Sequence, residues 1–169
     1  ASWYAFGFQG ASGLAIDGSG FLYVSDDAPG LWKVNTSGVA TTTAANVTFE
    51  NPNGLALDSA GRLLVADSGN RVLRITLAPD GSASTTEVLA QGFNNPQGVI
   101  ETASGIVLFT DTTGYIWKVT STSTVPLVSP ATADRFHAAQ ITPGNQGHIA
   151  EDPAGNIYVS DFGDRIVRI

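Results

Sequence analysis

Few residues in this chain have types and spacings suited to catalysis. His137 and His148 are its only imidazoles, and there is no Cys. Catalytic zinc is usually held by three protein ligands beside an open position, so two histidines are too few unless a carboxylate completes the set. Nothing in the spacing demands one. Ser, His and Asp all occur, yet no G-x-S-x-G elbow is present and the serines fall in turn-like stretches, which argues against a Ser-His-Asp nucleophile. The lack of Cys removes disulfides, thiolate metal sites and Cys nucleophiles as well. No catalytic residue, resident metal or cofactor is expected.

The acidic residues follow a different logic. Asp26, Asp67, Asp111 and Asp161 recur at spacings of 41, 44 and 50, each with a base seven residues on: Lys33, Arg74, Lys118 and Arg168. Around them one sentence is written four times: "GLAIDGSGFLYVSDDAPGLWKV" from Gly13, "GLALDSAGRLLVADSGNRVLRI" from Gly54, "GVIETASGIVLFTDTTGYIWKV" from Gly98 and "HIAEDPAGNIYVSDFGDRIVRI" from His148. Four equivalent Asp residues suit scaffold duty, accepting backbone N–H bonds in the turn after the second strand, better than catalysis at a single centre.

A repeat of this period is one blade of a β-propeller. Within the second copy, short β-branched runs bounded by Gly, Asp and Pro predict strands at about 54–58, 62–66 and 71–77. The middle strand is apolar throughout (Leu63, Leu64, Val65, Ala66), as in a strand covered on both faces. The third alternates, Val72, Leu73 and Ile75 against Arg71 and Arg74, as nearer a rim. Outer fourth strands are expected at Val39 to Thr43, Ser84 to Ala90 and Val125 to Val128. The fourth copy has none after Ile169, whereas "SWYAFGF", residues 2 to 8, has strand chemistry and no blade. That segment is expected to close the last blade, from its own chain or from a neighbour, because an exposed edge invites pairing.

The expected architecture is thus all-β: a single domain, residues 1 to 169, of four four-stranded blades at about 13–43, 54–90, 98–128 and 147–169 plus 2–8. The copies resemble the NHL repeat, most closely in "NGLALDSAGRLLVADSGNRVLRI", and more loosely the gluconolactonase and senescence-marker propellers. NHL-like propellers commonly have six blades, against four copies here. The resemblance implies that the residue ahead of each first strand faces a central channel: Ser12, Asn53, Gln97 and Gln146. Asn53 looks like a ligand of the calcium-dependent lactonases, but the other three offer no carboxylate for a hard cation. A hydrated polar plug is the expectation, with His148 near the same channel. A second candidate is the long link from Ser129 to Gln146, where Arg135, Phe136 and His137 combine a cation, an aromatic and an imidazole as a ligand patch, or merely connect blades.

Eight basic residues against fifteen acidic ones give a formal charge of −7, which disfavours nucleic acid and anionic membranes as partners. No apolar run is long enough to span a bilayer. The start at Ala1 without Met fits a processed, exported chain or a piece of a longer one, and abundant Thr, Ser, Asn and Gly suit an extracellular or cell-surface setting. Asn35-Thr36-Ser37 and Asn46-Val47-Thr48 are glycosylation sequons. Two functions fit. One is a non-enzymatic extracellular module that binds a protein, glycan or small molecule, or self-assembles by terminal strand exchange into an oligomer or filament. The other is a lactonase-like or lyase-like hydrolase with a channel site, within a larger ring.

Overall fold

The computed structural model describes residues 4–27, 30–119, 133–137, 147–161 and 165–169. The first antiparallel sheet runs β1 (Leu14–Ile16), β2 (Leu22–Ser25), β3 (Leu31–Val34), β4 (Ala40–Thr43). The second runs β5 (Pro52–Leu57), β6 (Leu63–Asp67), β7 (Arg71–Leu77), β8 (Ala83–Gln91), and the third β9 (Pro96–Glu101), β10 (Val107–Asp111), β11 (Ile116–Val119), β12 (Ala133–His137). The fourth has three strands among the described residues: β13 (Ile149–Glu151), β14 (Ile157–Asp161) and β15 (Arg165–Arg168). Each sheet is a meander in chain order, and the first strands stack side by side, β1 on β5, β5 on β9 and β9 on β13.

Each hairpin between first and second strands is built by one turn. Asp58 Oδ1 accepts the Ala60 and Arg62 amides while Gly61, at φ +75°, returns its own amide to the Asp58 carbonyl. Asp17 and Asp152 repeat this, and Thr102 substitutes a hydroxyl that accepts from Ile106. The side chain fixes the turn and the glycine takes the left-handed residue that others avoid.

The core lies between sheets, not within one. Leu63 and Val65 face the first sheet, where they pack with Tyr23 and Leu31, whereas Leu64 and Ala66 face the third and meet Val107 and Phe109. Leu108 and Ile116 then meet Ile157 and Val159 of the fourth. Both faces of β6 and β10 are therefore buried, as the unbroken apolar runs predict. Each such Leu or Phe contributes roughly 1.5–3 kcal/mol by leaving water.

Three expectations change. The outer strand of the third sheet is β12, later in the chain than Val125 to Val128, which lie outside the described residues. Arg74 is not on a solvent rim but 7% exposed, held between the second and third sheets. Residues 4–8 form no strand and do not pair with β15. They lie on the first sheet: Phe8 meets Trp32 edge-on at 5.8 Å, the Tyr4 hydroxyl donates to the Asn35 carbonyl at 2.7 Å, and the Gln9 and Gly10 amides donate to Asp26. Of the aromatic residues whose alternation predicts a strand here, Phe8 packs on Trp32 and Tyr4 bonds Asn35, whereas Phe6 is exposed. Trp3 lies outside the described residues.

Candidate channel site and the joints around it

The four first strands wall a hollow of about 450 Å³, with Ala15, Ala56, Ile100 and Ala150 among its lining. At the start of the same strands lies a smaller cleft of about 240 Å³, lined by Ser12, Leu14, Leu55, Val99, His148 and neighbouring glycines. Ser12 and His148 are thus brought to one place. Ser12 Oγ is within 3.1 Å of Ser25 Oγ and donates to the Asn53 carbonyl at 3.3 Å. The His148 side chain is exposed.

The other two described channel candidates point elsewhere. Asn53 Nδ2 donates to Ser68 Oγ, and Gln97, 2% exposed, donates from Nε2 to the Asn95 carbonyl at 3.1 Å. Both lie inside irregular ladders, Asn53 in the register shift between Pro52 and Leu55 and Gln97 opposite the shift between Phe109 and Asp111, and a bulge re-aims its side chains. Gln146 lies outside the described residues. Arg135, Phe136 and His137 stand on β12, the sheet edge opposite β9, so two strands, β11 and β10, separate them from the channel wall. Among the described residues no group of three or more His, Asp or Glu could hold a metal ion.

Of the two sequon residues, Asn35 accepts the Ser37 and Val39 amides through Oδ1 in the β3–β4 turn. Asn46 is engaged on both sides of its amide by Ala83.

What the repeated polar residues do is hold joints. Asp26 and Asp67 are fully buried, and each receives two backbone amides from the segment that leads into its own blade: Gln9 and Gly10 for Asp26, Glu50 and Asn51 for Asp67. Trp32 Nε1 completes the first set at 3.1 Å, and Arg71 the second at 2.8 Å. The scaffold duty expected of these Asp residues holds, but their partners come mainly from the incoming link. Asp111 keeps the local arrangement, accepting from Thr113. The side chain of Asp161 is outside the described set.

A second device went unseen in the sequence. The residue before each repeated Asp is Ser25, Ala66, Thr110 or Ser160. Ser25 Oγ accepts the Gly13 amide at 2.7 Å and donates to the carbonyl of Asn53 in the next blade, and Thr110 does the same from Gly98 to Gly147. Ser160 accepts the His148 amide at 3.0 Å. A hydroxyl in three of four copies was the available signal.

Carboxylates add a third tie. Glu101 Oε2 accepts the Ser59 amide at 2.6 Å and Glu151 Oε2 the Ala103 amide at 2.7 Å, each reaching back to the hairpin of the preceding blade. Buried Arg74 lies 3.1 Å from Asp58, 3.5 Å from Glu87 and 3.9 Å from Glu101, spanning two blades. Asp152, which accepts from Asn156, Ala154 and the Tyr158 hydroxyl, is held at about 2, chiefly by the Asn156 bonds, which favour the anion.

The joints close where glycine removes a side chain. A β-carbon on Gly13 would stand 2.2 Å from the Asn53 carbonyl oxygen, and one on Gly54 would stand 2.1 Å from that of Gln97. On Gly98 it would meet the Gly147 oxygen at 2.8 Å. In the fourth copy this place is taken by His148.

Residues 49–71 match the NHL repeat. A search of curated proteins gives no match. Among solved structures, virginiamycin B lyase from Staphylococcus aureus is similar at 16% identity and TM-score 0.59, covering 95% of this chain and 55% of its own. The PQQ-bound aldose sugar dehydrogenase from Streptomyces coelicolor is similar at 18% identity and TM-score 0.65, covering 94% and 58%. An oxidoreductase from Thermus thermophilus, described as a glucose dehydrogenase, reaches TM-score 0.74 at 14% identity, covering 98% and 63%. This chain spans somewhat over half the length of each, and identities this low speak for the fold alone. The four sheets are β-propeller blades, and the second carries an NHL repeat.

Proposed function

We propose that the chain is a non-enzymatic β-propeller module of the extracellular space or cell surface, acting by binding and assembly. The observation that carries this is how the polar residues are spent: Asp26, Asp67, Ser25, Thr110, Glu101 and Arg74 tie blade to blade or link to blade. Asn53 and Gln97 are likewise bonded within the scaffold. Among the described residues, most of the buried polar side chains named here are thus engaged within the scaffold. A composition rich in Thr, Ser, Asn and Gly with two Lys, and the sequon at Asn35, support the setting. On this reading assembly proceeds by strand exchange: residues 2 to 8 of one copy add beside Arg165–Arg168 of another, where the fourth sheet has three strands among the described residues. Removing residues 1 to 8 then lowers the particle size seen by light scattering, and an unchanged size would disprove exchange.

A second reading has one observation in its favour. His148 is exposed in a cleft it shares with Ser12, on a fold whose similar structures include lyases. On this reading the chain is part of a lyase-like or lactonase-like hydrolase. The deciding experiment incubates the protein with lactones, esters and quinupristin, the compound bound in one of the similar lyase structures, with and without divalent cations. Saturable turnover that disappears in His148→Ala would replace the binding module with the enzyme.

A further inference from the structure

One cation of the repeat meets very different surroundings in two neighbouring joints. Arg74, on the third strand of the second blade, has carboxylates from three places around it: Asp58 of its own hairpin at 3.1 Å, Glu87 across the ladder at 3.5 Å and Glu101 of the next blade at 3.9 Å. Its counterpart in the first blade is Lys33, and the counterparts of those acids are Asp17, Thr41 and Leu57. Two of the three carboxylates are replaced by neutral residues. The third is engaged elsewhere, because Asp17 accepts the Ser19 and Phe21 amides through Oδ1 and the Tyr23 hydroxyl through Oδ2. Lys33 forms no ion pair among the described residues. Its ammonium lies instead over the Phe21 ring, 4.2 Å from the centroid, and 5.4 Å from that of Tyr23. Aromatic faces attract a cation but leave its charge uncompensated.

A cleft of about 570 Å³ opens at this place, between the first and second blades. Both walls belong to a joint internal to the chain. The first blade supplies Phe21, Lys33 and the exposed Thr41, and the second supplies Arg62 and the exposed Asp80. Thr43 ties the walls together, its hydroxyl donating to the Gly81 carbonyl at 2.8 Å. Small-molecule sites occupy roughly 300–1,000 Å³, so the cleft has room for a sugar.

We propose that this cleft binds an acidic sugar, with the ligand carboxylate on Lys33 and its hydroxyls on Thr41 and Asp80. Built on the binding reading above, the site gives that reading a place and a ligand class. Lys33 asks for a carboxylate, the group that faces Arg74 in the equivalent joint. Arg62 adds little free charge, since its Nε is committed to Asp58 at 2.7 Å. Asp80 brings a negative charge to the second wall and uses Oδ1 for the Ser82 amide and hydroxyl, which leaves Oδ2 to accept from a ligand hydroxyl. A dianion such as phosphate would be repelled there, whereas one carboxylate beside several hydroxyls satisfies both walls. The Thr41 hydroxyl donates to the Lys33 carbonyl at 3.3 Å and keeps its lone pairs for a ligand donor.

Sodium glucuronate titrated into the full chain and followed by backbone amide NMR shifts tests the site, with glucose and acetate as the uncharged and the hydroxyl-free probes. Glucuronate should bind saturably and shift the amides of Thr41 and Gly81, with glucose and acetate weaker by at least about tenfold, the loss that goes with one charge-assisted bond. Lys33→Gln should weaken glucuronate by a similar factor. Thr41→Glu restores the carboxylate that Glu87 offers Arg74, so it should pair Lys33 internally and abolish binding without lowering the temperature of unfolding. Lys118→Gln, at the equivalent place in the third blade, should bind as the parent chain does. Absence of saturation, glucose or acetate binding as well as glucuronate, or undiminished binding by Lys33→Gln or Thr41→Glu overturns the proposal. The non-enzymatic reading falls by turnover and this site by the titration, so the two failures are distinct.

Discussion

Gly54→Ala is the most direct test of how the blades are joined. Glycine is required at this place by the backbone of the next blade and not by its own dihedral angles. The added methyl would lie 2.1 Å from the Gln97 carbonyl oxygen and 2.8 Å from Gly98 Cα. Neither atom belongs to a side chain that could swing away. Restoring an ordinary contact requires β5 and β9 to part by roughly 1 Å, which also loosens the contacts of Leu55 and Val99 behind them. Overpacking of well-filled sites costs about 1–3 kcal/mol, and a clash against two backbone atoms belongs at the upper end, about 3 kcal/mol. For a chain of this size that is a fall in Tm of about 6–12 °C. Two other glycines calibrate the result. Gly18 has nothing within 4 Å of the added carbon and an ordinary φ, so Gly18→Ala should change stability by less than about 1 kcal/mol, toward stabilisation. Gly61 is equally open but sits at φ +75°, so Gly61→Ala should cost about 1–2 kcal/mol from conformation alone. Urea unfolding followed by tryptophan fluorescence, with m compared among all three, measures the order. If Gly54→Ala is no less stable than Gly61→Ala, the inner strands are not in contact and the packing described above is wrong.

Other consequences can be checked in the same way. Asp67→Ala leaves the Glu50 and Asn51 amides without their acceptor and should cost about 3 kcal/mol in urea unfolding. Thr110→Val keeps the shape but strands the Gly98 amide and Gly147 carbonyl, so a loss of about 2 kcal/mol is expected, with faster hydrogen exchange at Gly98. The Asp152 carboxyl, lowered from 3.8 to about 2, should titrate near 2 by NMR, and Tyr158→Phe should raise its midpoint by removing one donor. Because the folded value is the lower one, its stabilising effect is complete above about pH 4 and vanishes as pH falls toward 2, so Asp152→Asn should flatten this part of the acid-stability profile.

The blades themselves are legible in the sequence because the signals that make them are local. Leu63 to Ala66 reads as a strand buried on both faces, and Asp58 to Gly61 as its turn, since each depends on neighbours a few residues away. What was not legible depends on partners from elsewhere in the chain. Arg74 looks like a rim residue in an alternating strand, until Glu101, in the next copy, is placed opposite it. Asn53 and Gln97 read in the sequence as residues ahead of first strands, but they fall inside β5 and β9, where ladder irregularities turn them aside, and a bulge leaves little trace in composition. The alternation of Tyr4 to Phe8 gives a face but not a partner. Whether such a face forms a strand depends on an available edge, and here Trp32, Asn35 and Asp26 engage the segment first.

The division of the core into clusters that each belong to two adjacent blades has a consequence for cooperativity. Among the described residues no cluster spans three blades, so free energy accumulates along a line, as unit contributions plus nearest-neighbour couplings. These four blades then behave as a one-dimensional lattice. Breaking the coupling between blades one and two releases blade one alone, whereas breaking the next severs the lattice in half. Native-state exchange should grade accordingly, slowest in β6 and β10, which have a neighbour on either side, and fastest in β1 and β15.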